Sequence, residues 1–537
     1  MALAERSKQT FLNIPMDVEG TIESDHIVRK IIKDVTNLDL SPLKQEYNKM
    51  GRPGIPVENL FSLLLFGYTR GIYTTRKLEM ACKENICFMY IMQGKKPDHS
   101  TIHKFQQLIS RHESELMSSQ VQLLLEKGLL DLSTISIDGT KIQSVANKYS
   151  NVYRGSIGYH EKNLENKIID TVINAFNGNT SSATIEDYTV LELPSSIDSL
   201  INKPNPNSNK LTNSKSLNRK YIARLELDDY ITLVEWLITL TPEEINSNKQ
   251  IKTLYKEIDG FFLRKLKYLS QREILGDRNS YSKTDNDASF MRLKDDSFDS
   301  KILSPAYNMQ LASSNGFIVG LTLTNQASDT RQLLPLIEKL ETTSSIDEST
   351  IILADAGYGS MENYEILESK NLEHLIPYMT QRFEHKRKYL KNEFRNEKFI
   401  FHDKEYAICP NGEKLEYIDT RTTISPSGFT TNKDVYTTNK CSSCSFKDQC
   451  TKNGTSKTIY NDKKWNAKKI EIYEKTSLPE NAELYKLRSI VEQNFGILKH
   501  NHKMSRFRNY GIKMNLGIST IAAIACNIQR EYNMQLA

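Results

Sequence analysis

Residues 350–360, TIILADAGYGS, constrain the fold most tightly, because a continuous apolar run stops abruptly at Asp355. A strand without polar alternation is buried on both faces, as in an α/β sheet covered by helices. Such a strand commonly delivers its terminal acid to the carboxyl edge of the sheet, where ligands bind. Upstream, STISIDGT alternates Ile135 and Ile137 with Ser136 and Asp138, the periodicity of a strand ending at Gly139. Tyr307–Ala312 and Phe317–Thr324 flank Asn315-Gly316, a hairpin signal because both central residues of such a turn favour positive φ. A helix, RQLLPLIEKLE, leads into the apolar strand; a helix over Glu362–Lys370 and a short strand, Leu375–Tyr378, follow it.

A third acid lies in Leu484–Arg508, which reads as one helix. Leu484, Leu487, Val491, Phe495 and Leu498 recur at helical spacing as a buried stripe. Tyr485, Arg488, Glu492 and Lys499 form a second stripe about one residue's rotation away, so Glu492 sits at the margin of the buried face. The net charge of +5 is small for 537 residues. From Leu484 to Lys513, however, seven Lys or Arg accompany Glu492 alone, with His500 and His502 added, a local excess suited to a phosphate backbone.

Residues 1–130 read as an all-helical N-terminal, DNA-binding domain. In the helix expected over Ser100–Leu116, capped by Ser100, Ile102, Phe105, Leu108 and Ile109 face inward, while His103, Lys104, Gln107 and Arg111 lie outside. Two short helices, a turn and a third helix with basic outer positions fit a helix-turn-helix-like unit, with a plain bundle as the alternative. Residues 146–300 read as a mostly helical insertion with a flexible Asn/Ser/Lys-rich middle, and Asp285, Asp287, Asp295 and Asp296 within it as loop or cap residues. Residues 379–480 read as a second insertion, with a basic run over residues 383–398 and the cysteines Cys409, Cys441, Cys444 and Cys450. Four thiolates suit a structural tetrahedral Zn²⁺, against free thiols or a disulfide. Cys82, Cys87 and Cys526 fall in apolar helical patterns. The residues MALAERSKQT resemble no signal peptide, and no apolar run reaches a membrane span of about 20 residues, so a cytoplasmic, nucleoid-associated protein without membrane contact is expected.

With both insertions excised, 131–145, 301–378 and 481–537 give strand, hairpin, helix, strand, helix, strand, helix. That is the order of an RNase H-like fold, a mixed five-stranded α/β sheet flanked by helices. It puts Asp138, Asp355 and Glu492 on the first strand, the fourth strand and the last helix. Three carboxylates without His or Cys suit hard cations. Two Mg²⁺ (or Mn²⁺) ions about 3.5–4 Å apart would stabilise the entering and leaving oxygens of a phosphoryl displacement.

Tyr485-x2-Arg488-x3-Glu492-x6-Lys499 matches the Y-R-E-K signature of DDE transposases from bacterial insertion sequences. SIDGT and LADAGY look like the segments carrying that family's two aspartates. GRPGIPVENLFSLLLFGYTRGIYTTRKLEMACKENICFMYIMQG with PDHSTIHKF, and KTDNDASFMRLKD with AYNMQLA, resemble further parts of the family, leaving most of both insertions unmatched. The resemblance implies a transposase that binds terminal inverted repeats, cleaves there and joins 3′-hydroxyls to target DNA, acting as a homodimer in a synaptic complex. Asp138, Asp355 and Glu492 would ligate the metals; Tyr485, Arg488 and Lys499 would grip phosphates. The rivals are an RNase H-like nuclease without strand transfer and a non-catalytic DNA-binding descendant.

Overall fold

The structure, a computed structural model, describes residues 17–48, 54–176, 249–293, 303–344, 346–384, 386–451 and 454–536. Two compact units form: Met1–Val145 with Met291–Ile302 and Ala306–Ala537, and Ala146–Phe290 with Leu303–Pro305.

Among the described residues of the first unit, eight helices precede the sheet: α1 (Val18–Thr21), α2 (Ile27–Asn37), α3 (Ser41–Asn48), α4 (Val57–Thr69), α5 (Thr75–Glu84), α6 (Ile86–Met92), α7 (His99–Ile109) and α8 (Glu113–Glu126). Helix α4, apolar almost all round, is buried along ten of its residues, the expected place for such a sequence. The helix expected over 100–116 is two. The N-cap of α7 is Asp98, whose carboxylate accepts from Thr101 N at 2.6 Å, rather than Ser100. Ile102, Phe105, Leu108 and Ile109 are buried, as their spacing predicts.

The mixed sheet is built on β1 (Thr134–Gln143), which lies antiparallel to β5 (Leu303–Ser314) and parallel to β7 (Ile351–Ala354). β6 (Phe317–Thr324) pairs with β5 through the Asn315-Gly316 turn, where both φ angles are positive, and β8 (Glu373–Leu375) runs parallel to β7. The order is β6–β5–β1–β7–β8; a sixth short strand, β4 (Ser289–Arg292), also pairs with β5, so the sheet has one strand more than expected. The last strand comes earlier than Leu375–Tyr378. Asp138 stands mid-strand, because β1 runs on past Gly139 to pair with Asn308 and Tyr307. Helices α11 (Leu333–Thr343) and α12 (Met361–Ser369) flank β7 in sequence.

Residues 400–461 hold a second, antiparallel sheet that the sequence reading did not anticipate: β9 (Ile400–His402), β10 (Tyr406–Ile408), β11 (Lys414–Ile424), β12 (Thr430–Thr438) and β13 (Lys457–Asn461). Phe399, Ala407, Leu415, Tyr436 and Ile459 make its small core. The basic run before it is broken into short turns.

The Leu484–Arg508 helix is likewise divided, into α14 (Pro479–Tyr485, after α13, Lys463–Ser477), a 3₁₀ turn, α15 (Ser489–Gly496) and a π turn closing at Asn501. It stops there because Ser505–Phe507 pairs with the end of β1: Gln143 N donates to Ser505 O at 3.3 Å, and Phe507 N to Gln143 O at 2.8 Å. Val491, Phe495 and Leu498 are buried as expected, whereas Leu487 is exposed. The last helix, α16 (Ile512–Leu536), packs against α2, α4, α7, α8 and β6.

The second unit pairs α9 (Arg154–Phe176) with α10 (Lys249–Leu275) through Leu164, Ile168 and Phe261, beside the antiparallel strands β2 (Asn151–Tyr153) and β3 (Ser280–Ser282). Asp285 sits in the turn after β3, bridged to Ser282. Asp295, Asp296, nearly all of the Asn/Ser/Lys-rich stretch and the segment YIARLELDDYITLVEWLITL lie outside the described residues. Among the described residues no helix is long and apolar enough to cross a membrane.

Candidate functional site

Parallel pairing sets Ile137 of β1 beside Ala354 of β7. Asp138 in β1 and Asp355, one residue past the end of β7, therefore lie at one level, the alignment that the sequence spacing alone could not provide. Each carboxylate is pinned by a nearby amide: Gly139 N donates to Asp138 Oδ1 at 2.8 Å, and Gly357 N to Asp355 Oδ1 at 2.6 Å.

The third acid arrives from α15. Arg488 Nη2 donates to Glu492 Oε1 at 2.8 Å while its Nη1 stands 3.8 Å from Asp138 Oδ2, so one guanidinium spans two of the three acids. Ser136 Oγ donates to Leu487 O at 3.1 Å, and the Tyr485 hydroxyl to Ala354 O at 3.2 Å, seating this helical segment on β1 and β7. Burial raises the Tyr485 phenol above its usual value. Glu492 itself is exposed, and Lys499 half-buried in the π turn.

A fourth carboxylate, absent from the expected set, stands beside these. Asp329 Oδ1 accepts from Asn308 Nδ2 at 2.6 Å and Gln310 Nε2 at 3.0 Å, and Lys141 Nζ reaches Oδ2 at 3.2 Å. Tyr358 donates from its hydroxyl to Gln310 Oε1. Burial first, then the charges of Asp329, Asp138 and Asp355, hold its phenol far above the usual range. The available signal was two amides, Asn308 and Gln310, in a strand whose neighbours are apolar; buried amides need partners.

The basic excess around Glu492 is partly consumed inside the fold. Lys486 pairs with Glu483, and Arg506 donates to the carbonyls of Ser144 and Val145. His502 is buried, and its imidazole is pushed down to about 4 by that burial, so it adds no charge at neutral pH. Of the three N-terminal candidates, His103 is half-buried and Lys104 exposed. Arg111 is exposed but ion-paired with Glu46 at 2.7 Å.

The oxygen-only set of Asp138 and Asp355 has the chemistry of a hard-cation site. As placed, however, no group of three or more His, Cys, Asp or Glu among the described residues could hold a metal ion, and Arg488 occupies the space between Asp138 and Glu492. Away from this edge, Cys409, Cys441, Cys444 and Cys450 border one cavity of about 200 Å³, all as free thiols. Burial, then the nearby sulfurs of Cys450, Cys444 and Cys409, raises the Cys441 thiol. Cys82 and Cys526 are buried and Cys87 half-buried.

The fold and its acidic edge thus define a mixed α/β protein with carboxylates gathered at the end of a parallel strand pair. Residues 408–531 match the family described as Transposase DDE domain, and residues 16–108 the one described as Transposase domain (DUF772). The first match takes in Glu492 and the second most of the helical region. Together they support a DDE-type insertion-sequence transposase. No curated protein and no solved structure matches the chain.

Proposed function

We propose that this chain binds the terminal inverted repeats of a mobile element, cleaves at its ends and joins the 3′-hydroxyls to target DNA, using an RNase H-like sheet. The observation that carries the reading is the parallel register of β1 and β7, which brings Asp138 level with Asp355 at the end of β7, within reach of the helix bearing Glu492. Asp138 and Asp355 would hold Mg²⁺ or Mn²⁺, with Glu492 completing the set once released from Arg488. The bound ions would supply charge stabilisation to an in-line phosphoryl transfer. Arg488 and Lys499 would meet phosphates near the scissile end, and Tyr485 would hold the helix against β7. His103, Lys104 and Arg111 would contribute to DNA binding by the helical region. Holding two ends together calls for two copies of the chain, acting on the nucleoid.

A second metal, structural Zn²⁺, would belong to the other sheet: Cys409 on the β10–β11 turn, and Cys441, Cys444 and Cys450 after β12, border one cavity and would have to draw closer than they now stand to hold it. Glu413 N already donates to Cys409 Sγ at 3.3 Å, and Asn411 Nδ2 to Cys444 Sγ at 3.6 Å, contacts that orient these two sulfurs.

The test is Mg²⁺-dependent cleavage of DNA carrying the sequences that flank the reading frame. Asp138→Asn and Asp355→Asn should abolish cleavage and leave end binding nearly intact. Loss of binding would assign the acids to the fold, and end binding without cleavage by the wild type would favour the non-catalytic DNA-binding reading.

A further inference from the structure

We infer that Asp329 is a positioning residue of the acidic edge, the hub of a brace that fixes the Asp138–Lys141 segment of β1 against the Asp355–Tyr358 turn. The inference deepens the function proposed above by adding a fourth acid to the same site.

Asp329 receives only donors: the side-chain amides of Asn308 and Gln310 and the ammonium of Lys141. A carboxylate, which has no hydrogen to offer, is the group that satisfies all three; an amide would turn an N–H against one of them. Gln310 is fully used. Its Nε2 donates to Asp329 and to Asn308 Oδ1, while its Oε1 takes the Tyr358 hydroxyl. Gln310 lies opposite Gly139, and Asn308 opposite Lys141, in the β1–β5 ladder. Gly139, the neighbour of Asp138, leaves room for this junction: a Cβ there would lie 2.5 Å from Gln310 Nε2 and 2.8 Å from Asp329 Oδ1.

The next residue carries the brace to the other strand. Thr330 Oγ1 donates to Gly357 O at 2.9 Å, and Asn363 Nδ2 ties Thr330 O to Tyr358 O at 2.7 Å each. Gly357 is the residue whose amide pins Asp355. Asn308 and Gln310 are wholly buried where apolar side chains would complete the core, and what their polarity secures is the relative position of two carboxylate-bearing segments.

The experiment compares full-length wild type with Asp329→Asn and, as a milder lesion should the first not fold, Lys141→Met. Amide hydrogen exchange is read on peptides covering residues 138–141 and 356–359, and Mn²⁺ half-saturation by water-proton relaxation. The brace requires faster exchange in both segments of each variant. It also requires, with melting temperature held near wild type, half-saturation raised by about 10- to 100-fold in Asp329→Asn, the range for residues that orient metal ligands. Wild-type exchange in either segment overturns the inference. So does loss of a bound Mn²⁺ outright, which would make Asp329 a ligand. If wild type neither binds Mn²⁺ nor cleaves DNA while both segments loosen in the variants, the proposed function fails and the brace stands.

Discussion

Arg488 stands between Asp138 and Glu492, two carboxylates that the proposed metal site would draw together. Its pair with Glu492 is more than half exposed on the acid's side, so the interaction is worth at most about 1 kcal/mol. Arg488→Ala should therefore raise Mn²⁺ affinity by up to about fivefold while weakening binding to DNA ends and lowering its salt slope. Equal Mn²⁺ affinity in titrations of the two proteins would mean that the arginine does not compete with metal. His502 makes the complementary point about charge. In the unfolded chain it titrates near 6.5, and in the fold at about 4. Between those values the unfolded state binds more protons, so stability is full above about pH 6.5 and lost as pH falls towards 4, by on the order of 3 kcal/mol. Urea unfolding at pH 7 and 4.5 should show a loss that shrinks in His502→Gln; an unchanged loss would place the acid sensitivity elsewhere.

At the scale of elements, the strand around Asp355 and the Asn315-Gly316 hairpin were legible because burial and turn geometry act over a few residues. Distance hid the rest. Nothing within Leu484–Arg508 shows that Ser505–Phe507 leaves the helical path to pair with Gln143, and Asp329 gains meaning only beside Gln310 and Gly139. The second sheet was readable in part: Pro426-Ser-Gly428 separates two Thr- and Tyr-rich runs, a hairpin signal overshadowed by the cysteines. That sheet has a core of five buried side chains, little for a free-standing antiparallel layer. If Zn²⁺ ties its turns, purified protein should carry about one zinc per chain beyond any at the acidic edge. Cys441→Ser should lose that zinc and loosen exchange in β11 and β12. Metal-free wild type, purified under reducing conditions and unaffected by chelator, would leave the four as thiols.

For the whole first unit, the decisive element is α16, whose Asn527 completes an edge of the sheet. Its Oδ1 accepts from Ile318 N and its Nδ2 donates to Ile318 O, each at 2.8 Å, while Gln120 of α8 accepts from the same Nδ2 and donates to Ile524 O. Lys30 and Lys127 meet Asp34 and the buried Glu531 of the same helix. Asn527→Leu strands buried backbone groups on β6 and should cost about 1–3 kcal/mol for each unsatisfied partner, read as a lower urea midpoint at constant m. A midpoint equal to wild type would show that water takes over the lost bonds.

Because α16 lies among α2, α4, α7 and α8, the helical region emerges from the ribosome long before the piece that locks it. A polypeptide stalled or frameshifted before Ile512 would expose that unfinished surface to chaperones and proteases. Translation therefore has to run to α16 before a copy of this protein can mature.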